Sequence, residues 1–160
     1  MNIPHRILMG TDFSDYSKEA YDYAVLLAKQ FGAELFLLHA LEMPAFFVPG
    51  MGRAAGPDVV KWIHALKEEE QKKLQPLEAE ARQKGVKVQS ILKEGTPAQE
   101  ILNAAEEIRA ELIVLGTHGR TGLERFMIGS VAERVMGQAR CPIVLVRPKA
   151  FFGKASKTNE

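Results

Sequence analysis

Leu112-Ile113-Val114-Leu115-Gly116-Thr117-His118-Gly119 is the stretch on which the fold turns: four apolar residues run straight into a polar, glycine-punctuated turn. A short apolar run bounded by turn residues reads as a strand covered on both faces. Arg6-Ile7-Leu8-Met9, Glu34-Leu35-Phe36-Leu37-Leu38-His39-Ala40 and Cys141-Pro142-Ile143-Val144-Leu145-Val146 have the same character. Val86-Lys87-Val88-Gln89-Ser90-Ile91-Leu92 alternates instead, as an edge strand with one wetter face does.

The segments between these runs have helical spacing. After the first strand, Ser14 or Asp15 caps a helix whose apolar face is Ala20, Tyr23, Ala24, Leu27, Ala28 and Phe31, and Gly32 stops it. Residues 41–57 carry three prolines and three glycines and read as a long loop. Residues 58–84 are helical in composition, with Val59, Ile63, Leu66, Leu74, Leu77 and Ala81 on one face, and Pro76 predicts a kink or break near 74–76. Gly85 closes that helix. Thr96-Pro97-Ala98-Gln99 opens the next as a capping box with proline at the first helical position, and Ala98, Ile101, Leu102, Ala105 and Ile108 form its buried stripe. Ser130-Val131-Ala132-Glu133 repeats the capping-box pattern before a short helix ending near Gly137.

Alternating strands and helices predict one flavodoxin-like, Rossmann-like α/β domain: a five-stranded parallel sheet with helices on both faces. If the third connection crosses back over the first strand, right-handed crossovers give the order 3-2-1-4-5. The domain is expected to span 1–147, with 148–160 a flexible tail. In such sheets ligands bind beyond the carboxyl ends of the strands where the order reverses. Gly10-Thr11-Asp12 and Gly116-Thr117-His118-Gly119 fall at that point.

Composition narrows the functional classes. Lys plus Arg number 21 against 20 Asp plus Glu in 160 residues, a formal charge of +1 mixed along the chain, which argues against a nucleic-acid binder. Cys141 is the single cysteine and forms no intrachain disulfide. No window approaches the roughly 20 apolar residues of a membrane span, and the opening MNIPHRILMGTDFSDYS has too short an apolar stretch for a signal sequence. The expected location is the cytoplasm.

From Gly116 the chain reads GTHGRTGLERFMIGS, ending where Ser130 opens a helix. Glycine lets the backbone approach a ligand closely, and the N–H groups of a helix N-terminus attract an anion. A phosphate cradle is expected here, with Arg120 and Arg125 either pairing with phosphate or standing in solvent. The loop is neither a Walker A motif nor a dinucleotide fingerprint, since it has no Gly-Lys-Ser/Thr end and follows the fourth strand rather than the first.

These residues resemble the universal stress protein family, whose nucleotide-binding members carry G-x2-G-x9-G-[ST]. Gly116, Gly119, Gly129 and Ser130 fit that spacing, and Ile-Leu-Met-Gly-Thr-Asp-Phe-Ser at 7–14, Gly-Thr-Pro-Ala-Gln-Glu-Ile at 95–101 and Cys-Pro-Ile-Val-Leu-Val at 141–146 are also similar to the family. The resemblance implies an ATP site; separately, the phosphates could carry in a magnesium ion, since such ions need few protein ligands. Asp12, with Thr11 beside it, would take ribose or adenine polar groups, and Ala40 would lie against adenine. Gly116, Thr117, His118, Gly119 and Arg120 would hold the phosphates from one side, and Gly129, Ser130, Val131 and Ala132 from the other. The family also implies a homodimer through the last strand, Ile143 to Val146, whose outer edge is unpaired. Residues 41–57, with Phe46 and Phe47, match no family motif.

Other residues read as scaffold. His118 is a lone loop histidine expected to face solvent, the four histidines have no metal-ligand spacing, and Lys67-Glu68-Glu69-Glu70-Gln71-Lys72-Lys73 reads as a water-facing helix surface. With no nucleophile elbow and no lysine in the glycine loop, the protein reads as a receptor more than an enzyme, with slow hydrolysis or autophosphorylation at Ser130 the most it offers. A nucleotide-free interaction module recruiting partners through Phe46, Phe47, Phe151 and Phe152 is the alternative. A phospho-receiver domain is disfavoured, because no second acid stands beside Asp12.

Overall fold

Four of the five strands are apolar on both sides of their pleat, so each of these needs cover above and below. In the computed structural model, which describes residues 3–43, 56–118 and 128–149, that cover is helical on both faces. Strands β1 (Arg6–Gly10), β2 (Glu34–Leu41), β3 (Val88–Glu94), β4 (Leu112–Gly116) and β5 (Ile143–Val146) form one parallel sheet in the order β3-β2-β1-β4-β5. Helices α1 (Asp15–Phe31), α2 (Pro57–Gln83), α3 (Pro97–Glu107) and α4 (Ser130–Gln138) connect them. β1 pairs with β2 through Ile7↔Leu35 and with β4 through Ile7↔Leu112. The expected class and strand order are therefore those observed.

Alternate strand residues feed two cores. Ile7, Met9, Leu35, Leu37 and Val114 meet Tyr21, Ala24 and Ala28 of α1 and Leu74 and Ala81 of α2. Leu8, Phe36, Leu38, Ile113 and Leu115 meet Ala98, Ile101 and Ala104 of α3 and Val135 of α4. Burying each large apolar side chain is worth about 1.5–3 kcal/mol, so these two layers supply the main driving force.

Several local expectations are corrected. The buried stripe of α1 is Ser17, Ala20, Tyr21, Ala24, Val25 and Ala28, whereas Tyr23 and Phe31 are exposed. The small residues at 20, 24 and 28 allow either flank to turn inward. Tyr21 goes in and donates its hydroxyl to the Leu77 carbonyl at 2.7 Å. Helix α2 runs unbroken through Pro76. The carbonyl four residues back, on Lys72, loses its usual donor, but both residues are exposed and water can take its place. Glu70, in the charge run expected to face water, is buried. Thr96 makes no side-chain cap and Gln99 bonds Asn103 rather than closing a capping box, although Pro97 does occupy the first turn. Ser130 is the first residue of α4 and Gly129 is its cap, so the second capping box is absent as well. Strand β3 is shifted towards the carboxyl side of its expected position.

Of the expected tail, Pro148 is buried and the Lys149 N–H donates to the Glu19 carboxylate at 2.9 Å. The remainder of 148–160, most of the 41–57 loop and its two phenylalanines, and Arg125 lie outside the described residues.

Candidate functional site

At the carboxyl ends of β1 and β4 the neighbouring connections leave in opposite directions, one towards α1 and the other towards α4, and a crevice opens between them. It is a cleft of about 480 Å3. Thr11, Asp12, Ala40, Gly116, Thr117, His118, Gly129, Ser130, Val131 and Ala132 all line it. Gly119 and Arg120 lie outside the described residues.

The floor is built from the two turns. Thr11 donates its N–H to the Leu38 carbonyl at 2.8 Å, continuing the β1 to β2 ladder one residue past the strand. Its hydroxyl lies 3.1 Å from the Ser17 hydroxyl and accepts from the Phe13 N–H at 3.0 Å. Asp12 folds back in an Asx turn: its Oδ1 accepts from the Ser14 N–H at 3.0 Å and from the Ser14 hydroxyl. Ser14 in turn caps α1 by accepting from the Ser17 N–H. Asp12 is thus a turn residue as well as a wall of the cleft. Phe13 takes a left-handed φ of 61°, which the turn imposes on a non-glycine residue.

The opposite wall comes from the glycine segment. Thr117 donates its N–H to the Val146 carbonyl at 3.0 Å, and Gly129 donates to the Thr117 carbonyl at 2.7 Å. The two ends of the segment are therefore joined directly. Gly116 fits where it does because a Cβ there would stand 3.2 Å from the His118 carbonyl oxygen and 3.3 Å from that of Tyr16. α4 then starts at Ser130 with no side-chain cap. Its first-turn N–H groups are the orphans that a helix leaves at its N-terminus, and here they border the cleft.

The sequence misplaced His118 and did not foresee two other polar residues. His118 is buried rather than solvent-facing, with Nδ1 2.8 Å from the Thr117 hydroxyl and its ring against Tyr16. His39 and Glu70 are buried together, Nε2 lying 3.3 Å from Oε2. The one sequence signal for His39 was a lone polar residue in an apolar strand; Glu70 had none, because nothing in a run of charges tells which one turns inward. Thr11, Ser17, His39, Glu70, Thr117 and His118 are the buried polar residues among the described residues, and all six line this one cleft. Among the described residues no group of three or more His, Cys, Asp or Glu is placed to hold a metal ion.

A doubly wound parallel α/β domain with a polar cleft at its switch point is the class that fold and site define. Comparison with known proteins narrows it. The family model described as the universal stress protein family matches residues 4–147, and the chain belongs to that family. It is 40% identical over 146 residues to universal stress protein MJ0531 of Methanocaldococcus jannaschii, covering 91% of this chain and 84% of that one. It is 36% identical to YxiE of Bacillus subtilis, covering 89% of this chain and 99% of the relative. Among solved structures, MJ0577 superposes with a TM-score of 0.76 at 27% identity over 92% of this chain and 99% of its own. An Archaeoglobus fulgidus universal stress protein solved in complex with dAMP shares the fold, with a TM-score of 0.61 at 24% identity over 90% of this chain and 98% of its own.

Proposed function

We propose that the cleft binds an adenine nucleotide, ATP, and that the protein acts as a nucleotide-responsive regulatory or protective factor in the cytoplasm rather than as an efficient enzyme. The observation that carries this reading is the gathering of all six buried polar residues of the described chain around one cleft. Burying polar groups opposes folding unless they are satisfied, and a binding site gives a reason to collect them in one place. The uncapped start of α4 borders the same cleft and suits phosphate, while Leu38, Ala40, Ile101 and Leu115 supply an apolar wall for a base. The family's G-x2-G-x9-G-S spacing is present, and a protein of this fold was solved with dAMP. Gly119 and Arg120 complete the phosphate side in this reading, with magnesium arriving on the phosphates because such ions need few protein ligands.

The unit that binds is the domain of residues 1–147, and two copies pair through β5, the last strand of the sheet, which leaves one edge unpaired. Mass spectrometry of the purified, denatured protein should release adenine nucleotide. Calorimetric titration should give ATP binding that Gly129→Val weakens at least about tenfold, since a side chain at the α4 cap obstructs the phosphate approach. Equal ATP affinity in the two proteins overturns the cradle.

A further inference from the structure

His39 breaks an otherwise apolar run from Leu35 to Leu41, and at 5% exposure it has no role in solvation. Its Nδ1 lies 2.8 Å from the Thr11 carbonyl oxygen. A carbonyl only accepts, so Nδ1 carries the hydrogen and donates it. Nε2 then faces Glu70 Oε2 at 3.3 Å, and the Phe13 ring covers the imidazole at 4.4 Å between centroids. Glu70 is itself anchored, Oε1 accepting from Lys73 Nζ at 2.8 Å. Oε2 is closed off from solvent.

The consequence falls on Thr11. Its N–H is held by Leu38, its hydroxyl by Ser17 and Phe13, and its carbonyl by His39. That carbonyl belongs to the peptide from which Asp12 departs. The sheet already secures the N–H side of Thr11, and the bond from His39 helps fix the orientation of the Thr11–Asp12 peptide plane.

We propose that His39, buried beside Glu70, is a positioning residue of the nucleotide cleft: by pinning the Thr11 carbonyl it holds the backbone on which Asp12, its carboxylate bonded by Ser14, faces the ligand. The proposal rests on the nucleotide reading above. Binding groups act at full strength only when their neighbours hold them in place before the ligand arrives, and the His39 bond does this from within the protein.

The test is calorimetric titration of ATP into the full chain and its variants, with urea unfolding run in parallel. His39→Leu removes the donor and is expected to weaken ATP about tenfold, because the turn that carries Asp12 must then be ordered on binding. His39→Asn, whose Nδ2 stands where Nδ1 stood, is expected to recover affinity to within about threefold of the native chain. Asp12→Ala weakens ATP in the native background and adds nothing in the His39→Leu background, because the two residues act as one unit. Independent, additive losses overturn the proposal, as does native affinity in a folded His39→Leu protein. Should His39→Leu fail to fold, side-chain nitrogen NMR of the native protein decides: the Nδ1–H of His39 is protected from solvent exchange before ATP is added if the proposal holds, and protection that arises only with ATP overturns it. Failure of the native chain to bind ATP at all is a separate result, and it removes the nucleotide reading along with the proposal.

Discussion

The two ends of the sheet handle their polar groups in opposite ways. At the amino end they bond to one another across connections that stay at the surface. Glu111 accepts from the His5 and Arg6 N–H groups at 2.8 and 3.0 Å and clamps the start of β1. The turns leaving α1 and α2 are closed by Gly32 and Gly85 in left-handed conformations. A hollow of about 390 Å3 between α3 and α4 also lies on that side, but Asn103, Glu106, Arg109, Gln138 and Arg140, which line it, are all exposed. At the carboxyl end the polar groups are buried and face one cleft. The contrast teaches that buried polarity, not cleft volume, separates a scaffold from a candidate site here.

Gly116→Val should break that division most severely. The added Cβ meets two backbone oxygens, which cannot swing aside as a side-chain tip can. A loss of about 1–3 kcal/mol in urea unfolding is expected from overpacking, accompanied by loss of ATP binding. Loss of stability with native ATP affinity would show that the turn after β4 is scaffold only.

Gly32→Ala tests the other end. It forces a Cβ into φ 64° with nothing nearby to clash, so the cost is conformational alone, about 1–2 kcal/mol by the same unfolding measurement. ATP affinity should be unchanged, and a change would join the two ends that the comparison separates.

The smallest effect belongs to Glu111→Gln. The His5 and Arg6 backbone N–H groups hold the Glu111 carboxyl below its ordinary value of 4.5. A carboxylate depressed on folding contributes stability that is present above its unfolded value and lost as pH falls through the folded one. The native protein should therefore lose its advantage over the variant as acid is added, read as converging urea midpoints. ATP affinity at neutral pH should be the same in both.

Much of this architecture was legible in one dimension. Five apolar runs separated by helical spacing leave few arrangements once crossovers must be right-handed, and the glycine segment and the turn after β1 fall at the reversal point in the one observed, β3-β2-β1-β4-β5. The misreadings were local. Pro76 reads as a helix breaker because its effect on its own backbone is certain, while the burial and contacts that keep α2 continuous come from β2 and β3. Tyr23 and Tyr21 lie on overlapping stripes of α1, and the acceptor that settles the choice, the Leu77 carbonyl, is 56 residues away.

His39 and Glu70 mark where the reading of the sequence ends. They stand in different elements, one in an apolar strand and one in a run of charges, and neither predicts the other. The sequence by itself determined the parallel sheet and, given a connection that crosses back over β1, its order and the place of the cleft, because hydrophobic periodicity and glycine turns act over a few residues at a time. Only the tertiary structure decided which polar groups are buried there and what holds them, because a buried hydrogen bond depends on which atoms the folded chain brings within about 3 Å of one another.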